Sequence, residues 1–245
     1  MHLSDKQKLE DYIKQSTKIA VLSGAGVSTL SGIKDFRGKD GLYKTQAYGL
    51  TPERILSSYF FTTHRELFYK YYMEHMVVPD TLEPNTIHKY TKKLSDEGKL
   101  VGVITQNIDG LYQKTGLTED KLVEFHGNGN IWVCIKCKQK VSVEDIRYNT
   151  KTGNYFSPCH NFLVRPDIVL YDEMFSKENI TKADEIYRDA DTLVVMGTLL
   201  DIVYHKDKVR TFKGNIILVN DTYVDLGNRQ WDAVYLGNIQ DVWGN

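Results

Sequence analysis

The sequence predicts a doubly wound α/β fold: a parallel sheet covered by helices on both faces, with a smaller lobe attached. Three observations carry this. Five short apolar runs are continuous rather than alternating, as strands buried on both faces must be. Each run ends in glycine or small polar residues. Helical stretches lie between several of them, and strands alternating with helices are the mark of a parallel sheet.

Taken in order, the run at 19–22 leads into Ser23, Gly24, Ala25 and Gly26, and the run at 100–104 into Thr105, Gln106 and Asn107. The run at 193–196 leads into Gly197 and Thr198, that at 216–219 into Asn220 and Asp221, and that at 233–236 into Gly237. Residues 88–96 and 180–190 read as helices. Two stretches break the alternation. Residues 46–76 are rich in aromatics and read as helical, with Phe60, Leu67 and Tyr71 beside Phe61, Phe68 and Tyr72 at core-face spacing. Residues 128–164 hold all three cysteines, carry little helical pattern and read as an irregular or β-rich module. Together these two stretches are expected to form a second lobe over the sheet edge.

Composition narrows the function classes. The chain has 245 residues, 41% hydrophobic and 26% charged, the balance of a folded globular protein. Its formal net charge is −1 and no basic block is long, so nucleic acid is not an expected partner. No apolar run approaches the ~20 residues needed to cross a bilayer, so no membrane is expected either. Residues 1–13 are charged and show no signal segment. Cys134, Cys137 and Cys159 are an odd set containing a Cys-x-x-Cys pair, which argues for a reducing, cytoplasmic setting and metal binding rather than disulfides. A monomer is expected.

In a doubly wound sheet, ligands bind beyond the carboxyl ends of the strands. Gly24, Ala25 and Gly26 follow a buried strand and make a turn whose backbone N–H groups can approach a pyrophosphate. The usual G-x-G-x-x-G is not kept: its third position is Thr29, and the next glycine is Gly32. No second strand ending in an acidic residue follows within about 20 residues, so an ordinary dehydrogenase is not expected. Ser28 comes next, then a polar loop at 31–38 with Asp35, Phe36 and Arg37, able to fold over a ligand.

Gly24 to Ser28, Ser31 to Ile33 and Asp35 to Arg37 resemble the opening signature of the sirtuin family, the NAD-dependent protein deacylases. Later landmarks fall in the family's order. Pro84, Asn85 and His88 resemble its P-N-x-x-H helix. Residues 105–111 match its T-Q-N-I-D-G-L. Residues 124–127 resemble its E-L-H-G, with Phe125 in place of leucine. Residues 165–169 open its substrate-facing strand, while Gly197, Thr198 and Asn220 mark its cofactor strands.

The resemblance implies a Rossmann-like NAD-binding domain over 1–44, 84–127 and 165–245, and a small domain over 45–83 and 128–164. It implies NAD as cofactor and an acyl-lysine protein or peptide as partner. The reaction breaks the nicotinamide–ribose bond through an oxocarbenium-like state and transfers the acyl group to ADP-ribose. His126 is then the general base for a ribose hydroxyl, work that suits an imidazole near neutral pH. Asn107 and Asp109 hold the nicotinamide amide and nearby water, and Gln106 the ribose. Phe36 and Arg37, with Asp35 beside them, cover the nicotinamide end and exclude water. Gly24, Ala25, Gly26, Ser28, Gly197, Thr198, Asn220 and Asp221 complete the cofactor contacts, with Asn220 at the adenosine ribose. Val169, Leu170 and Tyr171 face the substrate.

The chain departs from the family at several points. Of the family's two zinc-binding Cys-x-x-Cys pairs, Cys134 and Cys137 keep the first. Counting back from Arg165, the other ligand positions fall on Ser157 and His160, with Cys159 one residue off register. Cys134, Cys137, Cys159 and His160 complete a four-ligand zinc set only by local rearrangement, since neighbouring side chains tend to point apart. The register therefore leans toward loss of tight zinc. Leu199 stands where serine is usual, and Asp172 where glycine is. Tyr69 and Tyr72 stand where members that accept acidic acyl groups carry a tyrosine and an arginine, so neutral acyl groups are expected, acetyl first.

The resulting reading is an NAD-dependent protein lysine deacetylase. Asp172 and Leu199 add weight to an alternative, an NAD glycohydrolase or ADP-ribosyltransferase on the same fold. A non-catalytic NAD-sensing module is the third reading, against which the Asn107, Asp109 and His126 set counts.

Overall fold

The structure, a computed structural model, describes residues 3–33 and 47–243. Its strands are β1 (Ile19–Ser23), β2 (Leu100–Thr105), β3 (Leu122–Glu124), β4 (Gly127–Cys134), β5 (Lys140–Ser142) and β6 (Arg147–Asn149). They continue with β7 (Asn154–Phe156), β8 (Val164–Ile168), β9 (Thr192–Met196), β10 (Asn215–Asn220) and β11 (Ala233–Leu236). The helices are α1 (Leu3–Gln15), α2 (Pro52–Ile55), α3 (Ser58–Thr63), α4 (Arg65–His75) and α5 (Thr86–Asp96). After them come α6 (Leu111–Lys114), α7 (Lys177–Asp189), α8 (Val203–Thr211) and α9 (Gln240–Trp243).

Six strands form one sheet in the order β11-β10-β9-β1-β2-β3, with every pair parallel. The continuous apolar runs are explained by what lies on the two faces. In β1, Ile19 and Val21 enter one core with Leu9 and Ile13 of α1 and Ile87 and Leu94 of α5. Ala20 and Leu22 enter the other, with Ala183 and Ile186 of α7 and Val209 of α8. Each buried aliphatic side chain contributes roughly 1.5–3 kcal/mol, and the buried polar residues of these strands stand at their ends, as Ser23, Thr105, Thr192 and Asn220 do. Close packing shows at Gly102, where an added Cβ would lie 2.5 Å from Ile186 Cδ1.

The sheet is the α/β architecture expected, with one addition. β3 is only three residues long, too short to stand out as an apolar run, yet it forms the edge next to β2. It leads directly into Phe125 and His126.

A third core joins the two stretches that broke the alternation. Ile55, Phe60, Phe61, Phe68, Tyr69, Tyr71 and Tyr72 pack with Trp132, Val164, Ile168 and Leu170. The small sheet β5-β4-β8 is antiparallel, as is the β6-β7 pair. Leu67 is the exception among the expected core-face residues, at 36% exposed. The helical stretch is divided, α3 ending at Thr63 and α4 beginning at Arg65, so one helical period does not run through it.

Candidate active site at the carboxyl edge of the sheet

Register places the site. Ser23 pairs with Thr105 and with Met196, Thr105 with Glu124, and Val219 with Met196. The chain segments that follow, at Gly24, Gln106, Phe125, Gly197 and Asn220, therefore leave the sheet along one edge.

Gly24 and Gly26 are needed there for close approach of two backbones. A Cβ on Gly24 would lie 2.7 Å from the Gly197 oxygen, and one on Gly26 2.8 Å from Gly197 Cα. Their N–H groups donate to the carbonyls of Met196 (3.0 Å) and Gly197 (2.9 Å). The Ala25 N–H lies between these two paired amides and has no partner among the backbone turn, loop and cap hydrogen bonds of the described residues.

Behind the turn is a polar triad linked through Ser28. Ser28 Oγ donates to Asp109 Oδ2 at 2.6 Å, and Asn107 Nδ2 donates to Ser28 Oγ at 2.9 Å and to the Gly24 carbonyl at 3.1 Å. All three are buried. Burial pushes the Asp109 carboxyl up from the usual range, opposed by bonds from Ser28 and from the Leu111 N–H. Beside the triad, Gln106 Nε2 donates to Thr198 Oγ1 at 3.2 Å. Asn220 Nδ2 donates to the carbonyls of Thr198 (3.3 Å) and Thr222 (2.8 Å), tying the ends of β9 and β10 together. Asp221 is exposed beside it.

His126 is half-buried, its Nδ1 lying 2.7 Å from the Gln106 carbonyl oxygen. Burial lowers its pKa, against the pull of that carbonyl. The turn after it requires glycine: Gly127 has φ +86°, and a Cβ there would lie 2.0 Å from the Asp167 oxygen. The His126 carbonyl accepts from the Val169 N–H at 2.9 Å, joining the histidine loop to residues 169–176.

That second loop is tightly held. Arg165 donates to both carboxylate oxygens of Glu173 (2.5 and 2.9 Å) and to the Ile168 carbonyl (2.8 Å), and Glu173 accepts from the Leu170 N–H at 2.9 Å. The Tyr171 N–H donates to the Leu56 carbonyl, and the Ser58 N–H to the Tyr171 carbonyl, both at 3.0 Å. Val169 is half-buried and Tyr171 exposed, whereas the Leu170 side chain belongs to the third core. Asp35, Phe36 and Arg37 lie outside the described residues.

Several contacts about the site carry no sequence signal. Phe125 is fully buried among Phe175 (centroids 4.7 Å apart), Tyr204 (5.1 Å) and His205 (4.3 Å). Phe175 also lies 5.5 Å from the His126 ring. Glu124 accepts from Gln113 and Asn128, both at 2.9 Å, and burial pushes its carboxyl up to about 7. Glu124 and Phe125 lie in the 124–127 motif, but their partners Gln113, Asn128, Phe175, Tyr204 and His205 meet them only through the fold.

The candidate metal ligands converge. The ligand atoms of Cys134, Cys137, Cys159 and His160 all lie within 4.8 Å of one another, with the Cys137 and Cys159 sulfurs 3.7 Å apart. In a tetrahedral zinc site with Zn–S near 2.3 Å, two sulfurs stand about 3.8 Å apart, so the donors and their spacing fit zinc. Ser157 is fully buried, and its Oγ donates to Cys134 Sγ at 3.3 Å. Adjacent side chains point apart in an extended chain, but 158–160 form a turn followed by Asn161 at φ +47°, which brings Cys159 and His160 together.

Fold and site define a Rossmann-like α/β protein with a polar site at the carboxyl edge of its sheet and a second lobe carrying a Cys/His cluster. Residues 24–204 match the model of the Sir2 family, and the chain belongs to that family. It is 37% identical over 227 residues to an NAD-dependent protein deacetylase of Staphylococcus epidermidis, covering 90% of this chain and 88% of the relative. It is 38% identical over 225 residues to one of Clostridium acetobutylicum, covering 90% and 89%. Among solved structures, a Sir2 with a deacetylated peptide and 3′-O-acetyl ADP ribose matches with TM-score 0.84 and 28% identity, over 97% of this chain and 95% of the other. A Sir2 bound to acetylated peptide matches with TM-score 0.81 and 26% identity, over 96% and 94%.

Proposed function

We propose that this chain is an NAD-dependent protein lysine deacetylase in which His126 is the general base. The observation that carries the assignment is the 2.7 Å contact between His126 Nδ1 and the Gln106 carbonyl. A carbonyl only accepts, so Nδ1 bears the proton and Nε2 keeps its lone pair. Bound NAD supplies the nicotinamide–ribose bond to be broken and the sugar hydroxyl to be activated. Asn107 and Asp109 hold the nicotinamide amide, Gln106 orients the ribose, and His126 Nε2 accepts the proton of a ribose hydroxyl. The Ala25 N–H meets a phosphate oxygen, and Asn220 and Asp221 attend the adenosine end. Asp35, Phe36 and Arg37 cover the nicotinamide end, a role that rests on their match to the family motif. Val169 and Tyr171 meet the peptide.

Neutral acyl groups suit the lobe. Tyr69 donates to the Val164 carbonyl and Tyr72 to the Gly129 carbonyl, so neither hydroxyl offers a charged partner for an acyl carboxylate. Zinc on Cys134, Cys137, Cys159 and His160 supports the second lobe and takes no part in the reaction. No helix among the described residues is long and apolar enough to cross a membrane. A cytoplasmic monomer that binds no nucleic acid accords with the free cysteines and the near-neutral net charge.

The test is nicotinamide release from NAD with and without an acetyl-lysine peptide. Release that needs the peptide is expected, and His126→Ala should abolish it. Release without peptide would instead support a glycohydrolase. Preference for a succinylated peptide over its acetylated twin would overturn the acyl assignment.

A further inference from the structure

We infer that the segment presenting the acyl-lysine is apolar and basic, docking on a rim formed by residues 169–176 and 197–203. The inference rests on the proposed site and adds the class of sequence it accepts.

Single exposed apolar residues are normal on a protein surface, whereas a group of them beside a site marks a binding surface. Met174 is 90% exposed, Val203 72%, Leu199 47% and Tyr171 38%. All four lie on these two loops, and both loops lead to His126. Met174 precedes Phe175, and Val203 precedes Tyr204, and both rings pack on Phe125. Leu199 follows Thr198, which bonds to Gln106, whose carbonyl in turn holds His126. Tyr171 is two residues beyond Val169, which bonds to the His126 carbonyl.

The same loops are acidic. Neither contains lysine or arginine, and they carry Asp172, Glu173 and Asp201. Arg165 neutralises Glu173. Asp172 is exposed at φ +70°, between Tyr171, held by Leu56, and Glu173, held by Arg165. Its carboxylate is thereby set at a defined place on the rim. The lysines that follow these loops along the chain, Lys177 and Lys206, belong to α7 and α8. Apolar side chains beside a carboxylate suit a bulky apolar residue next to the acyl-lysine and an arginine or lysine beyond it.

The test uses the full-length protein and three fluorescent acetyl-lysine peptides, with flanks of Leu and Arg, Leu and Glu, or Ser alone. Binding is read by anisotropy and turnover by nicotinamide release. The Leu/Arg peptide is expected to bind about two- to five-fold more tightly than Leu/Glu, the worth of an exposed ion pair, and about ten-fold more tightly than the Ser peptide. Asp172→Asn keeps a residue that tolerates left-handed backbone and should bring Arg and Glu peptides to near-equal affinity. Met174→Ser with Val203→Ser should shrink the advantage of leucine over serine. Equal binding of all three peptides, or a preference unchanged in Asp172→Asn, would overturn the inference even with deacetylation intact. Preferential binding without peptide-dependent nicotinamide release would leave it standing and sink the deacetylase reading instead.

Discussion

The Nδ1 atom of His126 is hydrogen-bonded to the carbonyl of Gln106, the first residue beyond β2, so the last turn of the sheet chooses the tautomer of the base. The same strand end carries Asn107 and Asp109. One segment thus sets the ring's orientation and supplies the groups proposed to hold the departing nicotinamide.

Because burial lowers the His126 pKa below its ordinary 6.5, the neutral ring persists into mildly acid solution. The active form of a base is the deprotonated one, so activity is lost only as pH falls through the lowered value. Nicotinamide release, measured as kcat/KM, should show an acid limb centred below pH 6.5. An acid limb centred above 6.5 would contradict the assignment.

Gly127→Ala should be far more damaging than Gly98→Ala. Both glycines have positive φ, which costs an alanine about 1–2 kcal/mol. At Gly98 nothing lies within 4 Å of the added Cβ, whereas at Gly127 it would strike the Asp167 oxygen at 2.0 Å. The expected result is a modest drop in thermal midpoint for Gly98→Ala, and disruption of the His126 loop with loss of activity for Gly127→Ala. Similar behaviour of the two variants would show that the loop adapts.

Two histidines buried in neutral form lower stability in acid, while Glu124, its carboxyl raised by burial, works in the opposite direction. Burial pushes His88 down to about 4 and His205 to about 3, while both titrate near 6.5 once unfolded. At these two sites the unfolded chain therefore binds more protons below pH 6.5, and their contribution to stability declines from there toward pH 4. At pH 5.5 each histidine costs about 1 kcal/mol, roughly 2–4 °C in midpoint for a chain of this size. Neither ring nitrogen of His88 has a hydrogen-bond partner, so His88→Leu should reduce the slope without loss at pH 7. Calorimetry at pH 7 and 5.5 checks both.

Metal analysis distinguishes the two ligand registers. With Cys134, Cys137, Cys159 and His160 as ligands, the purified protein should carry about one zinc per chain, and a strong chelator should lower its thermal midpoint. Cys159→Ala or His160→Ala should release the metal, while Ser157→Ala should retain it, since that hydroxyl donates to Cys134. Retention of zinc by Cys159→Ala together with its loss from Ser157→Ala would reverse the assignment.

The sequence by itself determined the parallel sheet, because strands buried on both faces must be apolar at every position, as Ile19 to Leu22 are. It also determined the family, because residues 105–111 and 124–127 keep the family's order and spacing. The three-residue β3 and the division of 46–76 into separate helices lay below what a periodic signal can carry. Only the tertiary structure decided that Gly24 and Gly26 make room for Gly197, that Gln106 selects the His126 tautomer, and that Cys159 and His160 turn toward one centre. The reason is physical. A pattern along the chain records whether each side chain is buried. Contacts between residues tens of positions apart arise only once strand register and turn geometry bring them to the same edge.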